Sequence, residues 1–158
     1  MARDVPLVKK IAAFALAVLV LAGCSSSEKQ VDPAQEFIRD ESSLALAQRH
    51  ATVYCQQADC DAEWALTKRY IEQYSDTPVT QADAFDISTE VPRSTGSPAY
   101  SATRVPRAAG ATLTLFAQCP GMYGTDNAKG SDYDSCATKI IKTQNGYAAY
   151  LRAHASGQ

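Results

Sequence analysis

The chain has 158 residues, 46% of them hydrophobic, with five cysteines and a formal charge of −2. That is enough chain for one modest core and no second domain. Without a basic excess to neutralise phosphates, nucleic acid is excluded as a partner.

Arg3, Lys9 and Lys10 form a positive start, and Ile11 to Ala22 is an unbroken apolar run. A spanning helix needs roughly 20 such residues, so this run has the length of a signal-peptide core instead. It closes on Leu21-Ala22-Gly23-Cys24, followed by Ser25, Ser26 and Ser27. Residues 3–24 resemble the bacterial lipoprotein signal, whose lipobox reads Leu-Ala-Gly-Cys. The resemblance implies cleavage before Cys24, a diacylglycerol on its sulfur and an acyl chain on its new amino group. Ser25 in place of Asp implies outer-membrane rather than inner-membrane retention in that family. The expected layout is a signal at 1–23, a lipidated tether at 24–31 and a folded domain at 32–158. Without its signal the chain keeps 135 residues and a charge near −4.

Asp32-Pro33 with Gln35 is a helix start, with Asp as N-cap and Pro at the first helical position. The composition predicts helix from there to about Tyr54, with Ala34, Phe37, Leu44 and Ala45 near one side. The stripe is thin, which places this helix at the surface or against a partner. A second helix starts under Asp59 and Asp61, and Cys60, Trp64, Thr67, Ile71 and Tyr74 fall on one face.

Strands follow. Phe85, Ile87, Thr89 and Val91 alternate with polar residues, as a half-buried strand does. Tyr100 to Val105 alternates weakly, with Pro106 as its stop, and Ala108-Ala109-Gly110 reads as a turn. Ala111, Leu113, Leu115, Ala117 and Cys119 then give the clearest strand pattern. Residues 120–134 read as a loop, and a last helix opens at Cys136. On it, Ile140, Thr143, Tyr147, Tyr150, Leu151 and His154 share a side, and Gly146 is a point where it would kink or end. The expected class is α+β, two-layer, with helices packed on one face of a three-stranded antiparallel sheet in the order α-α-β-β-β-α.

The pattern Cys60-x₃-Trp64-x₂-Thr67-x₂-Tyr70-Ile71-x₃-Ser75-x₃-Val79, then Ile87-x-Thr89, resembles a group of small exported proteobacterial proteins of uncharacterised function. The chain departs from that group at Tyr74 and Pro78. The resemblance implies a Trp-bearing helix leading into a three-stranded sheet with a Cys-containing loop after it, and no activity.

With Cys24 assigned to lipid, four cysteines remain, an even set of the kind that staples small exported domains. Proximity favours Cys55 with Cys60 and Cys119 with Cys136, while the crossed pairings stay open. Zinc needs two tight Cys pairs, and only one exists, so no metal or other cofactor is expected. The acidic loop from Asp126 to Asp134 lacks the spacing and closing Glu of a calcium loop. His50 and His154 are the only bases for neutral pH, and no catalytic motif surrounds them. Met122, Tyr123 and Tyr133 lie in the Cys119–Cys136 loop, and such residues are enriched at interfaces, which marks them for a partner contact.

The expected function is a non-catalytic binding or structural module of the cell envelope, held to the membrane by lipid on Cys24 and meeting an envelope protein. One alternative is an enzyme inhibitor or small-ligand binder in the periplasm that uses the Cys119–Cys136 loop. Another is a hydrolase using His50 or His154.

Overall fold

The computed structural model describes residues 32–94, 96–126 and 128–155. The signal, the lipobox with Cys24 and the tether lie outside the described residues. Three helices are present: α1 (Pro33–His50), α2 (Cys60–Tyr74) and α3 (Tyr133–Ala155). Five strands accompany them: β1 (Thr52–Gln56), β2 (Val79–Ala82), β3 (Asp86–Thr89), β4 (Ala99–Arg107) and β5 (Gly110–Gln118). The strands form one antiparallel sheet in the order β1-β5-β4-β3-β2.

The class is α+β, but the sheet has five strands rather than three. The first helix stops at His50, four residues before the expected end. Thr52, Val53 and Tyr54 then run as β1, paired with β5 in the register Thr52↔Thr114 to Gln56↔Gly110. These β-branched and aromatic residues suit a pleated surface, and a partner almost 60 residues away supplies the edge. The second added strand, β2, is short and mostly exposed, an edge hydrogen-bonded to β3. Asp83 forms the turn between them, accepting bonds from the backbone N–H of Phe85 at 2.8 Å and Asp86 at 2.9 Å. Those two bonds hold its carboxyl below the ordinary Asp value.

Pro106 does not stop β4, which continues to Arg107 opposite Gly110. The Arg104 N–H donates to the Phe85 carbonyl at 2.7 Å, so even-numbered residues here face β3. The β3 ladder ends at Asp86↔Thr103, leaving the proline ring nitrogen on an edge where no donor is needed. Gly146 likewise does not break α3, which runs 23 residues. A Cβ there would lie 2.8 Å from the Tyr70 hydroxyl, so the glycine admits close approach of α2 to α3.

The main core lies between the sheet and the two helices α2 and α3. Ile87, Ala102, Leu113 and Leu115 meet Trp64, Tyr70, Ile71, Tyr147 and Leu151 there. Leu66 and Tyr70 join the expected α2 stripe, while Tyr74 at its end is exposed. On α3, His154 is exposed rather than buried with its stripe. The tyrosines account for this core's polar chemistry. The Tyr147 hydroxyl pairs with Thr67 Oγ1 at 2.7 Å, Tyr100 with Thr143 Oγ1 at 3.2 Å, and Tyr70 donates to the Thr143 carbonyl at 2.6 Å. Each buries a ring and keeps its polar tip satisfied. The opposite sheet face, including Tyr54, Val105 and Phe116, is exposed.

The cysteines pair as Cys55–Cys60 and Cys119–Cys136. The first ties the end of β1 to the start of α2. The second ties the end of β5 to the first turn of α3, closing a 16-residue loop. No described helix is long and apolar enough to cross a membrane.

Candidate functional site

The Cys119–Cys136 loop folds inward and outward by turns. Its arms pair at Tyr123↔Lys129, and Gly130 N–H donates to the Met122 carbonyl at 2.9 Å. Met122 therefore enters a small second core with Tyr133, Cys136, Ala137 and Ile140, onto which Phe37 and Leu44 of α1 pack. Met122 and Tyr133 are buried, so of the three residues expected to meet a partner only Tyr123 is presented to solvent. Burial of apolar area under the loop outweighs leaving it exposed.

Tyr123 and Tyr133 converge on one carboxylate. Glu41 Oε1 accepts the Tyr133 hydroxyl at 2.6 Å and the Tyr123 hydroxyl at 3.0 Å, with Oε2 at 3.1 Å from Tyr123. Desolvation, then donation to the Glu41 carboxylate, pushes the Tyr123 phenol up to about 12. The same two causes raise Tyr133. Lys129 lies 4.7 Å over the Tyr133 ring and bonds Asp40 at 2.7 Å and Asp134 at 3.3 Å. Its ammonium is held above the ordinary Lys value, first by the bond to Asp40. These contacts pin the loop to α1.

Between α1, the end of β5, this loop and α3 is a groove of about 630 Å³. Ligand sites commonly occupy about 300–1,000 Å³. Leu44 and Ala45 line it from α1, Ala117 from β5, Pro120 and Met122 from the loop, and Ile140 from α3. Its polar groups are few: Glu41 near Tyr123 at one end, Gln48 with Gln144 at the other, and Gln118 from the end of β5.

The glutamines owe their orientation to the sheet. The Leu115 N–H donates to Ala51 at 2.9 Å, just past the last β1 pair, so the Leu115 carbonyl faces the helices. Gln48 Nε2 donates to it at 3.0 Å, and Gln144 Nε2 donates to Gln48 Oε1 at 2.7 Å and to Leu115 O at 3.4 Å. A carbonyl only accepts, so both amide nitrogens must point this way. The leftover atom is Gln144 Oε1, buried and without a partner among the described residues. An unsatisfied buried acceptor costs about 1–3 kcal/mol. Gln144 falls on the Cys136-Ile140-Tyr147 stripe of α3, so its spacing marks it as a buried amide among apolar neighbours.

The histidines lie elsewhere. His50 Nδ1 pairs with Asn145 Oδ1 at 2.9 Å, and His154 Nδ1 pairs with the Tyr150 carbonyl at 2.8 Å while stacking on that ring. Both are exposed. Among the described residues no group of three or more His, Cys, Asp or Glu could hold a metal ion. Asn127 of the acidic loop lies outside the described residues. Comparison with protein-family models, curated proteins and solved structures finds no match to this chain.

Proposed function

We propose that this chain is a lipid-anchored protein of the cell envelope whose domain binds a small ligand without catalysis, in the groove under the Cys119–Cys136 loop. The groove carries the reading: an apolar cleft of ligand size with few polar groups and one orphaned buried acceptor. Two disulfides support an oxidising compartment. The Leu21-Ala22-Gly23-Cys24 box supports lipid attachment, and Ser25 in place of Asp supports a position on the outer membrane, facing the periplasm. Several acyl chains together anchor stably, since each buried CH₂ contributes about 0.8 kcal/mol.

A neutral hydrophobic dye that fluoresces on leaving water should bind the purified domain with one-to-one saturation. Ala45→Trp and Ala117→Phe, which fill the groove from two sides, should each weaken it about tenfold or more at an unchanged circular dichroism spectrum. Equal dye binding by folded, filled variants would move the site elsewhere. For the anchor, a metabolically supplied alkyne fatty acid should label the wild-type protein, and Cys24→Ser should lose both the label and the membrane fraction. Labelling that survives Cys24→Ser would contradict the anchor.

A further inference from the structure

We infer that the groove takes an elongated amphiphile with an ammonium at one end, an apolar middle and an uncharged N–H or O–H donor at the other. This deepens the ligand-binding reading and rests on it. The two polar ends come from α1: Glu41 and Gln48 are seven residues apart, about 10 Å along the helix axis and on one face. Leu44 and Ala45 lie between them on α1, so the stretch of helix joining the two ends is apolar.

Charge sets the first end. Among the described residues lining the groove, Glu41 is the only one that carries a formal charge, and no Lys, Arg or His is present. Lys129, the nearby cation, is committed to Asp40 and Asp134. A carboxylate or phosphate would therefore meet a like charge and no cation, while an ammonium would meet Glu41. Two tyrosine hydroxyls supply three short contacts to Glu41, and a carboxylate has about four lone-pair sites, so capacity remains on Oε2.

Hydrogen-bond polarity sets the second end. Gln144 Nε2 spends both hydrogens, on Gln48 Oε1 and the Leu115 carbonyl, and Gln48 Nε2 spends one on Leu115; the buried atom left with no partner among the described residues is the Gln144 Oε1 acceptor. The complement is a donor. Ile140, one turn before Gln144 on α3, makes this end a poor place for a second full charge, so the donor is a hydroxyl or amide N–H.

Three probes of one chain length separate these claims by calorimetry on the purified domain: aminooctanol, octylamine and octanoate. Octylamine should bind about tenfold tighter than octanoate, and aminooctanol about fivefold tighter than octylamine. Glu41→Gln, which keeps an oxygen for the tyrosines, should bring the amine-to-carboxylate ratio close to unity. Gln144→Met should erase the aminooctanol advantage and leave octylamine binding in place. Thermal melts of both variants confirm that the compared proteins are folded. Octanoate binding as tightly as octylamine, or a ratio untouched by Glu41→Gln, overturns the ligand assignment. So does binding of the neutral dye with none of the three probes, an outcome that leaves the groove as a binding site. Failure of dye and probes alike removes the groove reading itself.

Discussion

Gly110→Val will leave the domain unfolded or aggregated under conditions in which the wild type folds. Gly110 opens β5 and stands opposite both Gln56 of β1 and Arg107 of β4. A Cβ built on it would lie 1.9 Å from the Cys55 carbonyl oxygen and 3.0 Å from its carbon. Those are backbone atoms and cannot rotate aside. Cys55 is also bonded to Cys60 at the start of α2, so the end of β1 cannot swing away without dragging the helix. Accommodation means parting β1 from β5, which bares buried Ala51, Leu113 and Leu115. Losses above about 4 kcal/mol arise from steric conflicts of this kind, and whole domains hold only about 5–15 kcal/mol. Urea unfolding followed by circular dichroism decides the matter; a cooperative transition within about 1 kcal/mol of wild type would contradict the close approach.

The second large effect is loss of stability in alkali. Tyr70, Tyr133 and Tyr147 are each almost fully buried, and all three phenols are pushed up, chiefly by desolvation of the charged form. Their partners act differently. Tyr70 donates to a carbonyl and Tyr133 to a carboxylate, so a phenolate at either would lose its bond and face an oxygen. Thr67, able to donate to Tyr147, works the other way, but burial dominates. In the unfolded chain these phenols titrate near about pH 10. Above that pH the unfolded state binds fewer protons than the folded state, so stability falls as pH rises toward the folded values. Each shifted phenol contributes a slope of up to about 1.4 kcal/mol per pH unit. Three together can exhaust the stability of a small domain by about pH 12. Urea midpoints measured from about pH 9 upward should drop steeply beyond about pH 10, and Tyr147→Phe should flatten the drop. A midpoint constant to about pH 11.5 would show that these phenols ionise freely in the folded protein.

What could be read from the chain depended on whether the signal was local. The α2 stripe through Trp64 and Ile71 and the alternation of β5 are local patterns, and both elements formed where the pattern placed them. β1 was hidden because only Cys55 of its five residues is fully buried and its partner strand lies far away in sequence. β2 was hidden because a four-residue, mostly exposed edge has no pattern to show. Pro106 and Gly146 carry local rules that tertiary context overrode, one by an unpaired strand edge and the other by the Tyr70 hydroxyl.

The candidate site was half legible. The Cys119–Cys136 loop marked the right region, because four cysteines in a short domain and an aromatic-rich loop stand out in composition. Which of its residues face outward did not show, since Met122 and Tyr123 differ only by the pairing of the loop's two arms. The polar ends of the groove were missed for a related reason. Glu41 and Gln48 on a thin-striped helix look like solvated residues until α1 is placed beside α3. The aromatic loop thus contributes a wall and a mouth, and the helices contribute the recognition chemistry.

Backbone amide chemical shifts measured during titration with the neutral dye locate the bound ligand on the domain. Binding in the groove concentrates the shifts at Gln48, Ala117, Met122, Ile140 and Gln144, where they should saturate together and vanish in Ala45→Trp. Shifts that instead gather at Tyr54, Val105 and Phe116 on the open sheet face, with the groove residues unmoved, would contradict it.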